Sequence, residues 1–149
     1  MDVIIRKAKS NDIEGMVNLL DQLFSIESDF NVDSQKQQKG LEMLLKNSKA
    51  MIFVAELYNR VIGMATVQTL ISTAEGGPVG LIEDVVVDQA YRSKGIGNRL
   101  LAEMESWCRH QGFTRIQLLT ERYNTQAINF YNRLHWHTTE LIGMRKLLE

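Results

Sequence analysis

Three groups of residues in this chain have the types and spacing to do chemistry. Arg92-Ser93-Lys94-Gly95-Ile96-Gly97 joins two cations to two glycines, and a turn built this way can bring backbone N–H groups against an anion without Cβ obstruction. Glu83 and Asp84 stand just upstream. A carboxylate there can bind a cationic group or, if partly buried and so raised in pKa, accept a proton near neutrality. Further on, Tyr131 offers a phenol able to protonate a strong base, and Asn124 can cap a helix or bond a ligand.

These residues need elements to hold them. Val85-Val86-Val87 is a β-branched run that reads as a strand, and from Ile96 the apolar residues Leu100, Met104, Trp107 and Cys108 recur at helical spacing until Gly112. Strand, glycine turn and helix start make an anion site, because the first helical turn has unpaired N–H groups at the positive end of its dipole. Arg92 and Lys94 add formal charge. Two other phosphate motifs fail on spacing: no Gly-Lys-Ser/Thr follows for a Walker loop, and Leu100 stands where a dinucleotide fingerprint needs its third glycine. On these six residues alone, a basic loop that only caps a helix remains the alternative.

Arg92-Ser93-Lys94-Gly95-Ile96-Gly97 after Val85-Val86-Val87 resembles the Q/R-x-x-G-x-G/A signature of the GNAT superfamily, the acyl-CoA-dependent N-acyltransferases. Downstream, Asn124-Thr125-Gln126-Ala127-Ile128-Asn129-Phe130-Tyr131 is similar to that family's second motif, an Asn opening a short helix followed by A-x-x-F-Y. Two motifs in the expected order are far more specific than either alone. The likeness is strongest from Ile82 to Trp136. It implies a single α/β (α+β) domain over residues 1–149, with a mixed six- to seven-stranded sheet flanked by about four helices.

The bulk properties agree with a single domain able to bury a substantial core. With 17 basic and 18 acidic residues, the net charge of −1 leaves no electrostatic footprint for nucleic acid or an anionic membrane. One cysteine, Cys108, makes no internal disulfide, which fits a reducing cytoplasm. Met1 to Arg6 carries an acid and no long apolar stretch, so neither a leader nor a membrane span is expected there.

In chain order, Val3-Ile4-Ile5 predicts a first strand. Asn11 with Glu14 predicts a capping box before a helix whose apolar face is Ile13, Met16, Val17, Leu20, Leu23 and Phe24. Ser28 to Val32 interrupts it, and Asp33 caps a second helix with Leu41, Leu44 and Leu45 inward. Met51 to Leu57 and Val61 to Ile71 predict a hairpin, followed by a loop from Ser72 to Gly80 holding the one proline, Pro78. Phe113 to Leu119 predicts a strand, Asn124 to Leu134 a helix, and Thr138 to Leu148 one or two closing strands.

The resemblance also implies roles. Acetyl-CoA is the cosubstrate, with no metal. Backbone groups of Val85, Val86 and Val87, opened by a local bulge, hold the pantetheine and polarise the acyl carbonyl. The pyrophosphate rests on Arg92, Ser93, Lys94, Gly95, Ile96, Gly97 and Asn98, with Asn124 on the arm. Tyr131 is the acid for the departing thiolate. For the base, Glu83 is preferred over Asp84, since alternation puts adjacent residues on opposite faces and Glu83 shares one with Val85 and Val87. Phe30, Glu83 and Asp84 would meet the acceptor, and the Ile-Glu-Asp opening resembles that of diamine and glucosamine-phosphate acetyltransferases.

The implied reaction is direct transfer to a primary amine of a small molecule in a ternary complex. A protein Lys or N-terminal acetyltransferase and a non-catalytic CoA-binding sensor are the alternatives. Family members are commonly dimers, so a homodimer is compatible with this reading. Where many members have Gly-Phe after the second motif, this chain has His135-Trp136. His135 and His137 lack a completing ligand cluster, and Cys108 falls on an apolar helix face.

Overall fold

The computed structural model describes residues 1–27 and 29–148; Ser28, in the predicted break between the first two helices, and Glu149 lie outside it. The chain divides into two compact units, Met1–Leu118 and Leu119–Glu149.

The first unit holds the sheet. In order it contains β1 (Ile4–Lys7), a 3-10 turn (Ser10–Asp12), α1 (Ile13–Ile26), α2 (Ser34–Lys46), β2 (Ala50–Leu57), β3 (Arg60–Ser72) and β4 (Gly77–Val87). A 3-10 turn (Gln89–Tyr91), α3 (Ile96–His110) and β5 (Ile116–Leu118) complete it. The strands lie in the order β1-β2-β3-β4-β5, antiparallel up to β4 and parallel between β4 and β5. A parallel neighbour needs a crossover, and α3 supplies it. The β2–β3 hairpin closes through Tyr58 and Asn59 at φ 49° and 62°, the two-residue turn whose twist matches paired strands.

Each sheet face has its own cover. On one, Met16, Val17, Leu19 and Leu20 of α1 and Leu41 of α2 pack on Ile52, Val54, Met64 and Val86. Each such buried side chain stabilises by roughly 1.5–3 kcal/mol, so packing rather than helix propensity holds α1 in place. On the other, α3 buries Ile96, Leu100, Leu101, Met104 and Cys108. Gly63 lets it seat closely: a Cβ there would stand 3.1 Å from Leu100 Cδ1 and 3.5 Å from Ile96 Cγ2.

Several sequence expectations are corrected. The sheet has five strands among the described residues, not six or seven, because residues 138–148 make no ladder and a strand exists only through its partner. Pro78 does not mark a loop: β4 starts at Gly77 and pairs Pro78 with Ile71, upstream of the β5 ladder, where the missing N–H costs nothing. β5 is shorter than Phe113 to Leu119. Asp33 caps α2 as expected, accepting from Lys36 N at 3.1 Å. The entry to α1 differs, since Asp12 rather than Asn11 organises it.

Asp12 is buried, accepts from Lys9 N at 2.7 Å and takes two bonds from the Arg6 guanidinium at 2.7 and 2.9 Å, which also reaches Glu56 at 2.8 Å. The Arg6 bond holds the Asp12 carboxyl below its ordinary range against the opposing effect of burial. A lowered carboxyl stabilises the fold above its unfolded pKa and stops doing so as pH falls through its folded one. Asp12→Asn is therefore expected to cost about 2 kcal/mol at neutral pH, from the loss of charge-assisted bonds. Urea titrations should show the gap to wild type closing below about pH 4; a gap independent of pH would dismiss the ion pair as its source.

In the second unit, α4 (Thr125–Arg133) is capped by Asn124, whose side chain accepts from Ala127 N at 3.1 Å. At its other end His135 adopts φ 68° while Trp136 N bonds Tyr131 O at 3.0 Å and His135 N bonds Asn132 O at 3.1 Å. These are the paired bonds of a Schellman motif with histidine where glycine is usual, and Trp136 supplies its apolar contact by a tilted packing on Tyr131, ring centroids 5.5 Å apart.

Candidate functional site

The site is built on an irregularity in β4. Ile82 stands opposite Val67 and Val85 opposite Ala65, so Glu83 and Asp84 together face one residue of β3, Thr66. This is a β-bulge. Alternation counted forward from Ile82 puts Glu83 on the face away from Ile82 and Val85, and counted back from Val85 it puts Asp84 there too. The expectation that the two carboxylates point to opposite faces, with Glu83 beside Val85 and Val87, is thereby corrected: the extra residue cancels one step of the period. Both project to the face that α1 and α2 cover.

Their environments differ. Glu83 is exposed, whereas Asp84 is half-buried. Thr66, 0% exposed, makes two bonds with Asp84: its Oγ1 accepts from Asp84 N at 3.1 Å and donates to Asp84 Oδ2 at 3.2 Å. Burial pushes the Asp84 carboxyl up to about 6, the neighbouring Glu83 charge adds to the rise, and the Thr66 hydroxyl opposes it. A carboxyl with this value is ionised at neutral pH and is a stronger base than an exposed aspartate.

The β4–β5 ladder is short. It pairs Gly80 with Ile116, Leu81 with Gln117 and Ile82 with Leu118, where β5 ends. From Glu83 onward, the β5 side of β4 therefore carries no ladder among the described residues, and Val85, Val86 and Val87 lie along that stretch. An extended ligand bearing its own amides could pair with such an edge. This open edge also begins at the carboxyl end of a parallel strand pair, where α/β sheets bind their ligands.

The strand then runs into the anion turn. Asp88 is buried, accepts from Ala90 N at 2.9 Å and pairs with Arg60 at 3.6 Å. Arg92 Nε donates to Val87 O at 3.0 Å, tying the turn to the strand end. Ser93 at φ 62° and Gly95 at φ 81° turn the backbone, and nothing lies within 4 Å of where a Gly95 Cβ would be, so this surface is open to a ligand. α3 begins at Ile96, which is buried, while Ser93, Lys94, Gly95 and Asn98 are exposed and Gly97 is the second helical residue. The helix start and the Lys94 charge suit a phosphate group. The bulge, the open strand edge and this turn all belong to the first unit.

The other candidates fall elsewhere. Phe30 is 40% exposed with its ring 5.3 Å from that of Phe24 on α1. Asn124 and Tyr131 lie in the second unit, Asn124 as the α4 cap and Tyr131 between Phe130 and Trp136, at 5.2 and 5.5 Å. Cys108 is buried, and burial pushes its thiol up to about 11, so it fills core. Among the described residues, no three His, Cys, Asp or Glu converge as metal ligands, and no helix is long and apolar enough to cross a membrane. Sequence reading passed over Thr66 and Asp88. The one signal for Thr66 was a hydroxyl inside the apolar run from Ile62 to Val67, which says nothing of its partner.

Known proteins resemble this chain in sequence and in fold. The model of the acetyltransferase (GNAT) family matches residues 14–136. An uncharacterized N-acetyltransferase of Bacillus subtilis (strain 168) is 26% identical over 129 residues, covering 87% of this chain and 86% of that protein. The glucosamine 6-phosphate N-acetyltransferase of Trypanosoma brucei brucei is 30% identical over 90 residues, 60% of this chain and 59% of its own length. Among solved structures, an aminoglycoside N-acetyltransferase in complex with CoA superposes with TM-score 0.83 at 22% identity, over 97% of this chain and 94% of that one.

Proposed function

The chain belongs to the acetyltransferase (GNAT) family, and on that premise we propose that it moves the acetyl group of acetyl-CoA to a primary amine of a small molecule, directly, within a ternary complex. The observation that carries this reading is the bulge at Glu83 and Asp84. It sets a half-buried base at the point where the β4–β5 ladder ends and the β4 edge becomes available to an amide-bearing ligand. The family match runs across residue 118, which supports reading residues 1–149 as one catalytic domain. Small-molecule acceptors are favoured by the names of the two relatives that act on amino sugars, glucosamine 6-phosphate and aminoglycosides. The unpaired Cys108 fits a cytoplasmic site of action.

Acetyl-CoA supplies an acyl group activated as a thioester. The Arg92 to Asn98 turn holds its pyrophosphate, and backbone groups of Val85 to Val87 hold the pantetheine and polarise the acyl carbonyl. Glu83, exposed and on the same face as Asp84, attracts the cationic acceptor, and Phe30 is assigned to acceptor contact only by the family resemblance. Asp84, directly or through one water, takes the proton that an ammonium must lose before its nitrogen can attack. Asp84 passes that proton to solvent and, as the C–N bond forms and the C–S bond breaks, accepts the second amine proton, while Tyr131, on the resemblance of its motif, gives one to the sulfur; afterwards Asp84 returns its proton to solvent and the phenol regains one from it. The products are an amide and the free CoA thiol, with one proton released to solvent.

The test is thiol release by the full chain given acetyl-CoA with polyamines, amino sugars and aminoglycosides, and a lysine peptide for comparison. Release that requires both acetyl-CoA and a small amine, with kcat on the order of 1–10³ s⁻¹, is expected. Turnover confined to the peptide would transfer the assignment to protein acetylation, and acetyl-CoA binding without turnover on any amine would make the chain a CoA sensor.

A further inference from the structure

We propose that Thr66 is a positioning residue for the catalytic base, its hydroxyl occupying the gap that the bulge opens between β3 and β4 and orienting the Asp84 carboxylate. The inference rests on the reading of Asp84 as base. A bulge sets two residues against one and leaves a backbone group without its ladder partner. Here the Asp84 N–H donates to Thr66 Oγ1 at 3.1 Å, so a side chain replaces the missing ladder bond. The same hydroxyl spends its proton on Asp84 Oδ2 at 3.2 Å. Two bonds between one hydroxyl and one residue fix both the backbone and the carboxylate of Asp84.

Thr66 has no solvent access, so water does not compete for either bond. A buried N–H left unpaired is costly, which ties the bulge to this residue type. Serine or threonine can fill both parts of the role. Valine, of the same shape, can fill neither.

The surroundings make the effect readable. The helices over this face, α1 and α2, bring Met16, Val17, Leu20 and Leu41 to it, with buried Gln37 of α2 bonded to Asp21 of α1, and the strands bring Ile52, Val54, Met64 and Val86. Glu83 is the charged group acting on Asp84, and it raises the carboxyl while the Thr66 bond lowers it. Loss of the hydroxyl therefore has one sign, upward.

The experiment follows the Asp84 carboxyl carbon by NMR and the pH profile of kcat/KM together, in wild type, Thr66→Val and Thr66→Ser. In wild type, activity should fall on the acid side with the midpoint of the carbon titration. In Thr66→Val both midpoints should rise together by roughly half to one pH unit, the worth of one hydroxyl bond. Thr66→Ser should return both to the wild-type position, a rescue that a purely structural role would not give.

Should Thr66→Val fail to fold, wild type still decides. The solvent-excluded Thr66 hydroxyl proton must then shift with the same midpoint as the Asp84 carbon. A carboxyl midpoint unmoved in Thr66→Val, or a hydroxyl proton blind to the titration, overturns the inference and leaves Asp84 as base. A wild-type acid limb that does not follow the Asp84 carbon instead removes the reading beneath it.

Discussion

Replacing Asp84 by asparagine should slow turnover by roughly 10²–10⁴, the usual worth of a positioned general base, while making the protein more stable above pH 6. The two effects have one cause. Burial and the Glu83 charge hold the Asp84 carboxyl at about 6 against an ordinary 3.8, so the folded state keeps a proton that the unfolded chain has released. Between those values, wild-type stability falls as pH rises, because the native state binds more protons. At 1.36 kcal/mol per pH unit the accumulated cost is about 3 kcal/mol above pH 6. Asparagine avoids this and can still accept the Thr66 hydroxyl.

Urea titrations should find Asp84→Asn level with wild type near pH 4 and more stable by about 2–3 kcal/mol at pH 8, with acetyl-CoA affinity unchanged. An unchanged kcat would take the base away from Asp84, leaving Glu83 as the carboxylate to test. A stability loss at high pH would mean that the ionised carboxylate is better solvated than its half-buried position implies.

Gly97→Trp should weaken acetyl-CoA binding at least 100-fold, about 2.7 kcal/mol, by filling the space over the first turn of α3 where the pyrophosphate would sit. Calorimetric titration measures this, with circular dichroism to show that the helix has formed. Gly97 is the second residue of α3 and half exposed, whereas Ile96 and Leu100 are buried. Wild-type affinity should fall with added salt, since Lys94 and the helix end are at the surface. Full binding by the variant would move the coenzyme off this turn, and no binding by the wild type would remove acetyl-CoA as the donor.

The sequence by itself determined what local chemistry can encode. Arg92 to Gly97 after a β-branched run, and Asn124 to Tyr131 downstream, were enough to reach the family, because a glycine turn and a helix cap are written in neighbouring residues. The faces of α1 and α3, the cap at Asp33 and the β2–β3 hairpin were legible for the same reason.

What only the tertiary structure decided depends on residues far apart in the chain. The family resemblance implied a bulge in this strand, but no pattern within Leu81 to Val87 places it, because it is a register shift against β3, and alternation therefore misplaced Glu83 relative to Val85. The Asp84 pKa is raised by burial and lowered by the hydroxyl of Thr66, eighteen residues away. The extent of the sheet was misjudged in the same way. Apolar residues after Thr138 have the composition of a strand, but a strand is defined by the ladder it makes, and composition cannot supply the partner.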